Sequence, residues 1–305
     1  MRILVSGSTG LVGTALIESL ESQGHQIARL TRPGSERKKA AVDAAPVVAW
    51  DPVAGQFDAV AAEGADALVH LAGASIADGR WNDSRKKLLR TSRVDATRHL
   101  VAALSKLNRP PRVVVAASAI GYYGSRGDEI LTEASASGND FLSGICREWE
   151  AESARAAGFG ARVVCTRFGI ILAKHGGALA KMLPPFKLGA GGRLGDGLQW
   201  MSWITLAEVV SIIQFALATP ALSGAVNTVS PNPARNREFT EALAKTLHRP
   251  AIFPAPAFAL RLALGEMADA LLLSSQRGAP SKLSEAGYTF QQPDLGGALA
   301  DVLGN

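Results

Sequence analysis

The run RVVVAAS, residues 112–118, ends on a hydroxyl, Ser118, and two phenols, Tyr122 and Tyr123, come next within a short loop. A serine hydroxyl can orient a substrate oxygen, and a phenol can give a proton to that oxygen or take one from it. Tyr122 with Ser118 as its partner is therefore the candidate acid/base pair. The competing reading is that both tyrosines pack, or touch substrate without exchanging a proton. Cys146 and Cys165 lie in apolar surroundings and read as small buried residues. Two cysteines make neither a disulfide framework nor a thiolate cluster, so no metal site is expected.

A second set of residues suits an anion. GSTGLVG places Gly7, Gly10 and Gly13 in a GxxGxxG spacing directly after the first apolar run. A pyrophosphate approaching bare backbone needs glycines in a tight turn, and the adjoining helix offers unpaired N–H groups and a favourable dipole. Thr9, Leu11 and Val12 belong to the same turn. The second apolar run leads into ARLTRPGSERKK, in which Thr31 and Arg32 precede Arg37, Lys38 and Lys39. An acidic residue here would receive ribose hydroxyls, whereas a guanidinium grips a 2′-phosphate with paired hydrogen bonds. The expected cofactor is NADP(H). HLAG, residues 70–73, forms a third zone, where Leu71, Ala72 and Gly73 let ribose and adenine lie against backbone. His70 reads as a packed histidine beneath that zone.

These residues need elements to position them. RILVS opens the chain as a short strand, the glycine turn comes next, and a helix runs over about 11–23. Strands are expected at about 26–31, 47–50, 67–71, 112–118 and 162–167. Helices alternate with them at about 83–107, stopped by Pro110 and Pro111, and at about 140–157. The strands are near-continuous apolar runs, the mark of a parallel sheet covered on both faces. Residues 1–167 thus read as a doubly wound α/β nucleotide-binding core. Residues 168–305 read as a smaller α/β lobe interleaved with late pieces of the sheet. In it a segment rich in Gly and Pro, 176–197, precedes a helix at about 207–218, a strand at 225–229 and a helix at 236–247. A mostly helical tail domain is expected at about 251–303. Lys187, Arg193, Trp200 and Trp203 surround the Gly-rich turns and suit a substrate with a planar or anionic part, although the tryptophans suit a core equally well.

Composition narrows the class. A chain of 305 residues, 47% hydrophobic and 19% charged, is an ordered globular protein. No apolar run approaches a membrane span, and the N-terminus shows no signal-peptide pattern, so a soluble cytoplasmic protein with no membrane partner is expected. The net charge of +5 comes partly from a basic helix bearing Arg85, Lys86, Lys87, Arg90 and Arg93. No nucleic-acid motif accompanies it, so no nucleic-acid partner is expected.

The quoted motifs, together with SAIGYYG and the run leading to WMSWITLAEVV, resemble the extended short-chain dehydrogenase/reductases. DFLSGICREWEAE, LPPFKLGAGGRLGDGLQWMSWI and LLLSSQRGAPSKLSEAGYTF are similar to the atypical, epimerase-like branch of that superfamily, over essentially the whole chain. The resemblance implies a Rossmann core, a tail domain of unknown function and cofactor contacts at Gly7, Thr9, Gly10, Leu11, Val12, Thr31, Arg32, Leu71 and Ala72. It implies a further contact at Arg93, in the place of an Asn of the wider superfamily, and backbone approach to the nicotinamide near Ile170. It also implies a Tyr-x-x-x-Lys pair, but Phe141 and Ile145 occupy those places. Phe cannot exchange a proton and Ile cannot hold a charge. Two functions remain: an NADP(H)-dependent oxidoreductase or epimerase-like enzyme on a small substrate, with Ser118 and Tyr122 carrying the proton, or a catalytically silent NADP(H)-binding sensor or scaffold. Pairing of helices 83–107 and 140–157 across a homodimer is expected from the same resemblance.

Overall fold

A computed structural model describes residues 1–33 and 46–304. The first half alternates strand and helix. β1 (Arg2–Ser6), α1 (Leu11–Ser22), β2 (Gln26–Thr31), β3 (Val47–Ala49), the single turn α2 (Ala59–Ala62) and β4 (Ala67–His70) come in order. α3 (Asp83–Arg90) passes through one turn of π-helix, Thr91–Asp95, into α4 (Ala96–Leu104). In place of one unbroken helix to residue 107, the α-register is interrupted at Thr91–Asp95 and α4 ends at Leu104. β5 (Val113–Ala119), a 3₁₀ turn (Ile120–Tyr123), β6 (Ile130–Leu131), α5 (Phe141–Ala154) and β7 (Arg162–Phe168) complete this half.

The second half adds β8 (Ile170–Ala173), α6 (Gly177–Lys187), β9 (Trp200–Met201), β10 (Trp203–Thr205), α7 (Leu206–Ala218) and β11 (Gly224–Thr228). It ends with β12 (Ala234–Arg235), α8 (Asn236–Leu247), α9 (Ala257–Leu264), β13 (Arg277–Gly278), α10 (Ser281–Glu285) and α11 (Leu295–Leu303). α6 is an addition to the elements expected, inside the Gly- and Pro-rich segment. It forms despite Pro184 and Pro185 because Leu179, Leu183 and Phe186 share one buried face with Trp203, Phe239 and Leu243. That burial offsets the two lost N–H donors.

Seven strands form one parallel sheet in the order β11-β7-β5-β4-β1-β2-β3. Both faces are covered, which explains the continuous apolar runs. Leu16, Ile17 and Leu20 of α1, with Val209, Ile212 and Ile213 of α7, pack on Val5, Val69, Val115 and Val164. Leu100 and Leu104 of α4 pack on Leu4, Leu68, Val114 and Ala116 of the other face. The chain leaves β1 toward β2 and β3, then returns to β4 on the other side. That reversal opens a crevice at the carboxyl ends of β1 and β4, the place where doubly wound sheets bind ligands. Among the described residues, no helix is long and apolar enough to cross a membrane.

Candidate active site

Gly7, Gly10 and Gly13 turn the chain from β1 into α1 at this crevice. Gly7 has φ +69°, and a Cβ there would stand 2.8 Å from the Leu71 carbonyl. A Cβ on Gly13 would overlap the Gly7 carbonyl oxygen. Only glycines allow the loop to lie this close to α1 and to the end of β4. Gly10 N donates to Gly7 O, and no side chain caps the start of α1. The first N–H groups of the helix, beginning at Leu11, Val12 and Gly13, therefore face the crevice without a capping acceptor. A backbone cradle with an uncapped, positive helix end and no acid in its first turn fits a pyrophosphate. Thr9 lies exposed on the same turn.

Ser6 ties this loop to β4. Its Oγ accepts from the N–H groups of Leu71 (3.1 Å) and Ala72 (3.3 Å) and hydrogen-bonds His70 Nδ1 at 2.6 Å. The other His70 nitrogen meets Thr97 Oγ1 at 2.9 Å, and burial pulls the ring down to about 4, so the imidazole is neutral. His70 is thus enclosed beneath the crevice. Leu71 and Ala72 present surface there rather than free N–H groups, and Gly73 continues the wall. Gly176 and Gly177, entering α6, bring the second lobe over Leu11.

At the end of β2, Thr31 Oγ1 is buried with no hydrogen-bond partner among the described residues. Arg32 is exposed, and its charge reaches Asp51. Arg37, Lys38 and Lys39 lie outside the described residues. Ile170 N donates to Ser202 O at 2.7 Å, and Ile170 pairs with Trp203. Its backbone is tied into the second lobe beside β7.

Ser118 and Tyr122 are linked through residues that no sequence motif marks. Ser118 is 2% exposed and its Oγ donates to Glu150 Oε1 at 2.6 Å. Glu150 also accepts two hydrogen bonds from Arg167, Nε at 2.8 Å and Nη2 at 2.7 Å. The pair is buried, with side chains 13% and 4% exposed. Burial opposes the Arg167 charge, but the hydrogen bonds and charge of Glu150 prevail and raise its pKa. The guanidinium lies 3.4 Å over the Tyr122 ring and donates to Tyr123 Oη at 2.7 Å. Tyr123 is fully buried, donates to Asn227 Oδ1 at 2.8 Å, and is pushed up to about 12 chiefly by burial. Tyr123 is a structural phenol, whereas Tyr122 is half-buried and its hydroxyl makes no hydrogen bond among the described residues.

The serine proton is thus held by a carboxylate, and Glu150 in turn places the cation that orients Tyr122. In the sequence Glu150 reads as one polar residue on an amphipathic helix. The available signal was Arg167, a charge ending the otherwise buried run RVVCTR.

Where the Tyr-x-x-x-Lys pair would stand, Phe141 meets Trp81 edge to face at 5.5 Å and Ile145 is buried. Positive charge nevertheless reaches α5 from the preceding segment. Lys86 Nζ lies 5.0 Å over the Phe141 ring, and the Arg93 guanidinium lies 5.4 Å over Trp149. Lys86 also pairs with Glu266 of the tail. Cys146 is buried and pushed up to about 12 by that burial, which makes it an inert thiol. In the second lobe Trp203 is core, donating to Asn232 O. Trp200 stands between the Arg235 and Arg277 guanidiniums at 4.6 and 4.5 Å and donates to Asp128. Lys187 and Arg193 are exposed.

Comparison with known proteins agrees with this geometry. The model of the NAD dependent epimerase/dehydratase family matches residues 3–229, and a domain of unknown function, DUF1731, matches residues 255–302. The chain is similar to the epimerase family protein Mb2239 of Mycobacterium bovis, 40% identical over 297 residues that cover 97% of this chain and 96% of that protein. It is similar to the human epimerase family protein SDR39U1, 34% identical over 307 residues, 99% of this chain and 100% of that one. The crystal structure of human SDR39U1 (isoform2) with NADPH aligns at TM-score 0.90 and 33% identity, covering 100% of both chains. A UDP-N-acetylglucosamine 4-epimerase from Bacillus cereus shares the fold at TM-score 0.75 and 17% identity, with 99% of this chain and 98% of that one covered.

Proposed function

This chain belongs to the NAD dependent epimerase/dehydratase family, and we propose that it is an NADP(H)-dependent oxidoreductase or epimerase-like enzyme acting on a small substrate. The observation that carries the reading is the Gly7–Gly13 cradle. Its shape excludes side chains and its helix end attracts a pyrophosphate. Arg32 after β2 favours the phosphate-bearing cofactor, and human SDR39U1, similar along the whole chain, was crystallised with NADPH. When bound, NADP(H) supplies the hydride chemistry. Thr31 and Arg32 would hold the 2′-phosphate, while Leu71, Ala72, Gly73 and Ile170 would wall the ribose and nicotinamide.

Tyr122 exchanges the proton at the substrate oxygen, because its hydroxyl is not engaged by the protein. Ser118 is a positioning residue in this reading: it holds Glu150, Glu150 holds Arg167, and Arg167 holds the Tyr122 ring. The alternative, a silent NADP(H)-binding sensor or scaffold, is favoured by the commitment of the Ser118 proton to Glu150 and by the apolar Phe141 and Ile145.

NADPH consumption over a broad panel of carbonyl compounds tests the choice. The enzyme reading expects turnover of at least one compound and a loss of about a hundredfold in Tyr122→Phe, with NADPH affinity unchanged. Turnover that survives Tyr122→Phe removes Tyr122 from the chemistry. An epimerase returns the hydride and consumes no NADPH, so tight NADPH binding selects the silent binder only when NMR also shows no epimerisation of chiral hydroxyl substrates.

A further inference from the structure

The Gly-rich loop after α6 and the segment entering α9 run side by side. Arg249 Nε donates to Lys187 O at 3.1 Å, Phe253 N to Gly191 O at 3.2 Å and Ala255 N to Arg193 O at 2.9 Å. Gly195 N returns a bond to Ala255 O at 2.9 Å. Gly192 permits the approach, because a Cβ there would overlap the Phe253 carbonyl. The paired segments leave large apolar side chains in solvent. Leu188, Ile252 and Phe253, with Phe258 and Leu262 of α9, are between 60% and 84% exposed. Phe258 and Leu262 stand four residues apart and share one face of the helix. No residue of α9 is buried, so the helix projects from the lobe as a ridge. Among the described Phe, Tyr and Trp residues, only Phe253 and Phe258 are exposed. A cluster of this kind marks a contact surface.

The charge around the ridge has one sign. Residues 174–195 and 242–265 hold seven Lys or Arg and no Asp or Glu, against a net charge of +5 for the whole chain. Lys187, Arg193, Lys245 and Arg249 are exposed and enter no ion pair among the described residues. Arg261, on α9, is paired with Asp269. A second copy of the chain would bring this basic rim against itself across a two-fold axis, and like charges would repel. A protein partner would need an acidic groove shaped to a convex ridge. An anionic bilayer meets both features without a preformed shape: its apolar boundary takes the Phe and Leu side chains, and its phosphate headgroups face the cations.

We propose that the ridge formed by Leu188, Ile252, Phe253, Phe258 and Leu262 docks the protein peripherally on an anionic lipid bilayer. The expectation of no membrane partner rested on the length of apolar runs, and a surface contact needs no spanning helix. The contact requires neither the proposed cofactor nor the proposed reaction.

The test sediments the full chain with vesicles of phosphatidylcholine containing about one-third phosphatidylglycerol, and with vesicles of phosphatidylcholine alone. Wild type should pellet with the anionic vesicles and stay largely in solution with the neutral ones. Phe253→Ser/Phe258→Ser should weaken the anionic binding by about a hundredfold, and Lys187→Gln/Arg249→Gln by about tenfold or more. Far-UV circular dichroism and urea midpoints near those of wild type establish that each variant folds. Should the Phe pair misfold, Ile252→Ser/Leu262→Ser carries the same comparison. No binding to anionic vesicles, or binding that both apolar pairs leave unchanged, overturns the proposal. A lipid-free dimer that Phe253→Ser/Phe258→Ser splits in sedimentation velocity overturns it in favour of a second copy. Binding to soluble polyglutamate as tight as to the anionic vesicles overturns it in favour of an acidic protein.

Discussion

Replacing Glu150 by Gln tests the link between Ser118 and Tyr122. The carboxylate accepts from Ser118 Oγ, Arg167 Nε and Arg167 Nη2, all between 2.6 and 2.8 Å. A glutamine keeps one acceptor for the first two. Its NH₂ group then faces Arg167 Nη2, donor against donor. The larger loss is the charge. Arg167 is 3% exposed, and beside the Tyr122 ring its remaining hydrogen-bond partner, Tyr123, stays neutral because burial raises its pKa. Removing one member of a buried ion pair costs about 3–5 kcal/mol, a large share of the roughly 5–15 kcal/mol typical of a whole domain. Urea denaturation should therefore show Glu150→Gln destabilised by about that amount. Glu150→Gln/Arg167→Met should lose less than the single variant, because no unpaired cation remains. NADPH affinity should change by no more than about twofold, since the glycine cradle does not touch this pair. A loss below about 1 kcal/mol, or a double variant worse than the sum of the singles, would refute the reasoning.

Gly13→Ala forces the Gly7 backbone away from α1 and should weaken NADPH by about a hundredfold or more in fluorescence titration, with the urea midpoint lowered as well because the added Cβ meets backbone. His70 is held at about 4 against 6.5 in an unfolded chain, so below pH 6.5 the unfolded state binds the proton first and the native state loses stability until pH 4. That amounts to about 2 kcal/mol between roughly pH 7.5 and pH 5, and His70→Gln should show a shallower decline in the same urea series.

The sheet and the glycine cradle were legible because each depends on neighbouring residues. RILVS, ALVHL and RVVVAAS carry their burial on both faces, and GSTGLVG carries its turn chemistry in its own spacing. His70 was legible for the same reason, as a histidine inside an apolar strand. Several site features were not. The Glu150–Arg167 pair joins α5 to β7, and its members fall on elements whose register only packing sets. The resemblance marks Arg93 as a cofactor contact, but the π-turn that carries it off the basic outer face has no clear propensity signature. α6 was hidden because Pro184 and Pro185 signal a break, while the Leu179, Leu183 and Phe186 face that outweighs them shows only against Trp203 and Phe239. Ser118 was recognisable as a strand-end hydroxyl, but its commitment to Glu150 depends on how α5 docks.

A site specialised for a phosphate-bearing nicotinamide cofactor is the central claim, and parallel titration of the protein with NADPH and NADH tests it most directly. NADPH should bind tighter by about tenfold or more, and Arg32→Asp should remove most of that preference. Equal affinity of the wild type for the two nucleotides, or binding of neither, would contradict it.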